Sequence, residues 1–165
     1  MRFAVVALSL LALAAFAQAQ PNFAGEWIAT SRVGDAEAGG FSVLSGGDGH
    51  MTITQDATTL AVAWVSFGRS HKPVQSLVNL DGSERRYIDR NSVEPQERST
   101  RARWQGTQLV ITTQWAGYKG VDIPVPTPVE VEETLSLEST STLKVSVTRR
   151  VRDQEWKATR TFRRQ

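Results

Sequence analysis

Two charged side chains fall where strand alternation puts apolar ones. In the run Trp156 to Phe162, Arg160 shares its phase with Trp156, Ala158 and Phe162. In Val131 to Leu135, Glu133 shares its phase with Val131 and Leu135. Successive strand residues point to opposite faces, so both belong to the apolar face. A guanidinium there has to be paired, because an unpaired buried charge is very costly. One chemistry is bidentate capture of an anionic head group. The structural alternatives are a latch stacked over Trp27 or an ion pair with Glu133. Trp27, Trp64, Trp104, Trp115 and Phe162 could line an apolar ligand pocket beside these charges. They could equally fill a tight core, where aromatic side chains contribute heavily to burial.

Other constellations fail on geometry. His50 and His71 fall in loops, and the Gly-Gly-Asp-Gly-His run ending at His50 offers half a metal site. Zinc needs three or four ligands with a supporting second layer, so no metal is expected. Ser70 beside His71 is no triad, since a nucleophile needs a base within hydrogen-bond reach and a group to orient it. There is no G-x-S-x-G elbow and no cysteine. Glu132 and Glu133 alternate across a strand and cannot flank one bond. No catalytic residue and no cofactor are expected. The pairs Arg85-Arg86, Arg149-Arg150 and Arg163-Arg164 could make an outer patch for acidic polysaccharide or phospholipid heads, but outward charges on strands more often guard against aggregation.

The elements that must position these residues are strands. Short alternating runs are separated by turn residues at the spacing of a meandering sheet: Gly25 to Thr30, Met51 to Gln55, Leu60 to Trp64, Val74 to Leu80, Arg85 to Ile88, Ser99 to Trp104, Leu109 to Trp115, Val129 to Leu137, Leu143 to Thr148 and Glu155 to Arg163. Asp81-Gly82 is the strongest hairpin signal, since glycine accepts the positive φ of a type I′ turn. The starts Thr58-Thr59-Leu60, Thr107-Gln108-Leu109 and Ser141-Thr142-Leu143 share a turn followed by an inward leucine. Their unequal spacing excludes a repeat array. Residues 32 to 50 carry six glycines and residues 119 to 128 three prolines, which predicts two long connections. No window shows the i, i+3, i+4, i+7 pattern of an amphipathic helix. Single-faced alternation over so many strands predicts an all-β fold, a single antiparallel up-and-down barrel of about eight to ten strands whose closure removes its edges.

The ends and composition bound the rest. Arg2, the apolar run Phe3 to Phe16 and the small-x-small Ala17-Gln18-Ala19 read as a signal peptide over residues 1–19, leaving one domain over 20–165. The apolar run is too short for a stable membrane span, which wants roughly 20 residues. With no cysteine for a disulfide or a lipid anchor, an exported chain must rely on its core, and a domain of this length can bury roughly 70% of its unfolded surface. Fifteen arginines are nearly balanced by carboxylates, for a net charge of +2. Such balance argues against nucleic acid as a partner.

The opening Asn22-Phe23-Ala24-Gly25-Glu26-Trp27 resembles the N-x-F-x-G-x-W start of calycins, the superfamily of lipocalins, fatty-acid-binding proteins and avidins. The resemblance implies that Gly25 lets the first strand bend, that Trp27 plugs one end of the barrel, and that a cationic side chain of the last strand packs over it. Thr159-Arg160-Thr161-Phe162 is similar to the T-R-x-Y ending of fatty-acid-binding proteins, with Phe162 in place of the tyrosine. The helical lid of those proteins has no counterpart in the glycine-rich 32–50 segment. The whole chain also resembles small secreted bacterial lipocalin-like proteins, including their W-x-G-x-x-L-V-I hairpin at Trp104 to Ile111. The expectation is an exported, periplasmic or secreted monomeric barrel that binds a small hydrophobic or anionic amphipathic ligand without transforming it. A cell-envelope module with a filled core is the alternative, and a lipocalin-type enzyme acting at the barrel mouth a third.

Overall fold

The computed structural model describes residues 20–35, 49–65, 73–89, 95–117 and 126–165. Residues 1–19, where a signal peptide is expected, most of the glycine-rich connection, Ser70, His71 and Pro124 lie outside them. The described chain forms ten strands, β1 (Gly25–Gly34), β2 (His50–Gln55), β3 (Thr59–Val65), β4 (Pro73–Asn79), β5 (Arg85–Asp89), β6 (Gln96–Gln105), β7 (Gln108–Ala116), β8 (Pro128–Ser139), β9 (Thr142–Val151) and β10 (Gln154–Arg164). Among the described residues there is no helix. All pairs are antiparallel in one sheet, ordered β4-β3-β2-β1-β10-β9-β8-β7-β6-β5. β1 joins the chain's two halves: Gly25 to Ile28 pair with β2, and Trp27 to Gly34 pair with β10. The sheet thereby curls into a nearly closed barrel.

Alternation decides which residues face the core. On β8, Val129, Val131, Glu133 and Leu135 are buried while Glu130, Glu132 and Thr134 stand outward, and β9 repeats the pattern with Leu143, Val145 and Val147 inside. Leu60, Leu109 and Leu143, each just after a turn, are fully inaccessible. One end of the barrel is plugged. Phe23 and Trp27 are fully buried, and the Trp27 indole N–H donates to the Phe23 carbonyl at 2.9 Å. Phe23 also stacks on Trp104, with centroids 6.0 Å apart. Gln55 ties this segment down, accepting from the Phe23 N–H and donating to the Pro21 carbonyl.

Two expectations are corrected, and the arginine pairs form no patch. The Asp81-Gly82 turn joins the one consecutive pair of strands that is not hydrogen-bonded, because β4 and β5 are the two ends of the sheet. The Asp81 carboxylate accepts from both the Ser83 N–H and hydroxyl, and this side-chain turn replaces the tight hairpin. Closure is therefore incomplete and two edges remain. His50 begins β2 and does not sit in a loop. Each arginine pair straddles the sheet instead of forming a patch: Arg149 lies over Trp156 and Arg164 over Trp27, whereas Arg86 and Arg150 make ion pairs with outward carboxylates.

The outer face carries a lattice of such pairs, and it predicts a pH response. Glu84 is held below the usual carboxylate range by its hydrogen bonds to Arg86 and then Arg101. Glu155 is lowered by Lys157 and then Arg150, and Glu130 by Gln114 and then Arg150. A carboxylate whose folded pKa is depressed contributes stability above its unfolded value, about 4.3 for glutamate. That contribution is lost as the pH falls through the folded value. The urea midpoint is expected to hold steady above about pH 5 and fall below it, with a shallower acid limb in Glu84→Gln. A midpoint unchanged from neutral to strongly acid solution would remove these pairs from the stability of the fold.

Candidate functional site

The plug sorts the inward residues. Toward that end Leu60, Val62, Val78, Leu109, Ile111, Leu135, Leu143 and Val145 have no access to solvent. The middle and far end are different. There six charged side chains take the inward phase, Arg32, Arg98, Arg149 and Arg160 with Asp89 and Glu133, and of these Arg32 stays exposed at the end of β1. Such a concentration of charge inside a barrel costs stability unless the groups satisfy one another or a ligand.

Each charge is placed by register. Tyr87 on β5 stands opposite Arg98 on β6, which stands opposite Trp115 on β7. The Arg98 guanidinium donates to Asp89 at 2.6 Å and lies 4.5 Å over the Trp115 ring. Both members of the ion pair are more than four-fifths buried. Burial pushes the Tyr87 hydroxyl up; the charge of Arg98 opposes that, the charges of Asp89 and Glu133 add to it, and a hydrogen bond with Arg98 opposes it further. Glu133 therefore lies within electrostatic reach of a side chain three strands away. It is fully buried, opposite Ile111 on one side and Val147 on the other. Arg149 covers Trp156 at 5.1 Å. Stacking on tryptophan holds a guanidinium flat and leaves its N–H edge for hydrogen bonds.

Arg160 is 9% exposed, and its direct cross-strand partner on β1 is Arg32. That pairing exists because β1 carries a bulge between Ala29 and Ser31. One extra residue swaps the faces of everything beyond it, so Arg32 and Gly34 take the inward phase that Trp27 and Ala29 hold before it. Gly34, at φ +106°, backs directly onto the Lys157 carbonyl and Ala158 Cα, and the Asp35 carboxylate accepts the Lys157 N–H at 2.9 Å. Arg32 stays exposed beside the buried Arg160, and its guanidinium donates to the Asp35 carbonyl at 3.3 Å.

The expected residues thus divide. Arg160, Glu133, Trp64 and Trp115 belong to the middle and far end, where Trp64 is half-buried on β3. Trp27, Trp104 and Phe162 belong to the plugged half and pack in its core. The cation over Trp27 is Arg164, 4.7 Å from the ring and its direct cross-strand neighbour, so Arg160 is not the latch. Reading the strands short hid Arg32, Asp89, Arg98 and Arg149. Extending the alternation of Thr100, Ala102 and Trp104 by one step would have reached Arg98. Nothing in the sequence announces the bulge that puts Arg32 on the inward phase. Among the described residues no three histidine or carboxylate side chains gather as metal ligands, and no helix is long and apolar enough to cross a membrane.

No family model and no curated protein matches the chain in sequence. In three dimensions it is similar to the zebrafish ileal bile acid-binding protein crystallised with cholic acid, at a TM-score of 0.55 and 14% identity over 87% of this chain and 98% of that one. What that likeness shows, together with ten antiparallel strands joined through β1 and β10, is the fold: an all-β, nearly closed antiparallel barrel like that of the zebrafish protein.

Proposed function

We propose that this is an exported, monomeric barrel that binds a small amphipathic anion in the middle and far end of its interior and does not transform it. The observation that carries the reading is Arg160, a guanidinium buried on the apolar inward face of the last strand, with the exposed Arg32 across from it. A carboxylate or similar head group that reaches Arg160 gains charge-assisted hydrogen bonds. Trp64, Trp115 and Trp156 supply the apolar surroundings for the rest of the molecule. The packed plugged half limits the ligand to one that sits shallowly. Support for export lies in the Arg2, Phe3 to Phe16 and Ala17-Gln18-Ala19 pattern and in the resemblance to small secreted lipocalin-like proteins. The cholic acid bound by the zebrafish protein belongs to the same broad chemical class, an amphipathic anion.

The test is a tryptophan-fluorescence titration with decanoate and with decanol. Arg160→Gln is expected to weaken decanoate by about 10- to 100-fold, the worth of one hydrogen bond to a charged group, and to leave decanol nearly unchanged. A folded protein that answers to neither probe would instead be a packed barrel working through its outer face, the reading that the fully inaccessible core residues favour.

A further inference from the structure

We propose that Thr113 and Arg98 form a docking point for an uncharged oxygen on the body of the ligand, so that the preferred ligand is an amphipathic anion carrying a carbonyl or hydroxyl far from its head group. This deepens the anion-binding reading above and rests on it.

Thr113 faces the core from β7 with no access to solvent, yet its hydroxyl meets no hydrogen-bond partner among the described residues. A hydroxyl buried in that way costs stability, which valine, of nearly the same shape, does not. A second donor of the same kind stands beside it. Arg98 pairs with Trp115 and Thr100 with Thr113, so Arg98 and Thr113 are diagonal neighbours on the inward face of β6 and β7. Diagonal neighbours lie within reach of a long side chain. The Arg98 charge is matched by Asp89 at 2.6 Å and its plane lies 4.5 Å over Trp115. Its buried Nε–H nevertheless reaches no acceptor among the described residues. The hydroxyl opposite Thr113 is already engaged, since Thr100 donates to the Arg85 carbonyl at 3.3 Å.

Two donors that lack acceptors, beside a cation that is already neutralised, match an oxygen with two lone pairs and no charge. A second carboxylate would meet Asp89 there instead. The register places this point away from the head group. Thr113 stands opposite Val131, Val131 opposite Arg149, and Arg149 opposite Trp156, four residues before Arg160. Three strand spacings and four residues are roughly 20 Å along the sheet, and the curl of the barrel shortens the path across the interior. An anion held at Arg160 thus brings its tail, not its head, to Thr113. A site built to hydrogen-bond such an oxygen discriminates against an analogue without it, because its donors are then left unpaired.

The experiment titrates the purified full chain with dodecanoate and with dodecanoate carrying a ketone beside its terminal methyl, and measures the urea midpoint of each protein. Wild type is expected to bind the keto acid on the order of tenfold more tightly than the plain acid. Thr113→Val is expected to bind the keto acid no more tightly than the plain one, while being at least as stable as wild type. Arg98→Lys keeps a charge facing Asp89 but lacks the Nε–H, and is expected to lose part of the preference. Thr100→Val is expected to keep it. A wild type that binds both acids equally overturns the proposal and leaves anion binding standing. So does a preference that survives in Thr113→Val, or one that is lost in Thr100→Val and so belongs to the packing of that row. A Thr113→Val protein less stable than wild type also overturns it, because the hydroxyl would then have its partner within the fold. If Arg98→Lys does not fold, the Thr113→Val comparison decides alone. A folded wild type that binds neither acid sinks the anion-binding reading and this inference with it.

Discussion

Trp27→Ala is expected to lower the unfolding free energy by about 3–5 kcal/mol, the cost of truncating a fully buried tryptophan to alanine. The loss is large because Trp27 does three things at once. Its ring fills the plug, with no exposed surface of its own. Its indole N–H satisfies the Phe23 carbonyl, and its face receives the Arg164 guanidinium 4.7 Å away. Alanine leaves a cavity in a close-packed interior, an unpaired carbonyl and a cation without its platform. Domains of this kind are stable by only about 5–15 kcal/mol, so the variant is expected at the margin of folding. Trp27→Phe keeps the ring and is expected to recover most of the loss. Urea denaturation of the three proteins measures this. An alanine variant within 1 kcal/mol of wild type would mean that Phe23 and Trp104 alone close that end.

Gly34→Ala is expected to cost about 2 kcal/mol or more and to weaken decanoate binding as well. At φ +106° a side chain is strained by about 1–3 kcal/mol wherever it points. Here it also points into backbone, toward the Lys157 carbonyl and the Ala158 Cα, and backbone cannot yield as a flexible side chain can. Relief requires β1 to lift from β10 beyond the bulge, which separates Arg32 from Arg160. Hydrogen exchange of the Val33 and Gly34 amides reports that lifting locally, while denaturation reports the global loss. A variant with normal stability that binds decanoate as wild type does would show that the β1–β10 contact at the far end does not hold the anion seat.

Much of this fold is legible in the residues because β structure writes its faces as a period of two. Val129 to Leu137 and Leu143 to Val147 alternate cleanly, and the burial of those strands follows the alternation residue by residue. The leucines at 60, 109 and 143 mark the inward phase after each turn for the same reason. Glu133 and Arg160 stand out as charges in an apolar phase, and both are inside. The outcome at Asp81-Gly82 shows where local signals stop. A turn sequence specifies a change of direction, and whether the flanking strands then pair depends on how far the sheet must curl, which β1 settles from the other side of the barrel.

The sequence by itself determined the class of fold, the strand count, the inward phase of most strands and two of the six charges on the inward phase at the candidate site. Those properties depend on neighbours in the chain, and periodicity encodes them. Tertiary structure alone decided that Arg164 covers Trp27, that Arg98 meets Asp89 over Trp115, and that a one-residue bulge sets Arg32 opposite Arg160. Each of these is a matter of register between strands, and β1 meets β10 across some 130 residues of chain. Register is fixed by the summed packing of whole strands against one another, so no short stretch of sequence carries it.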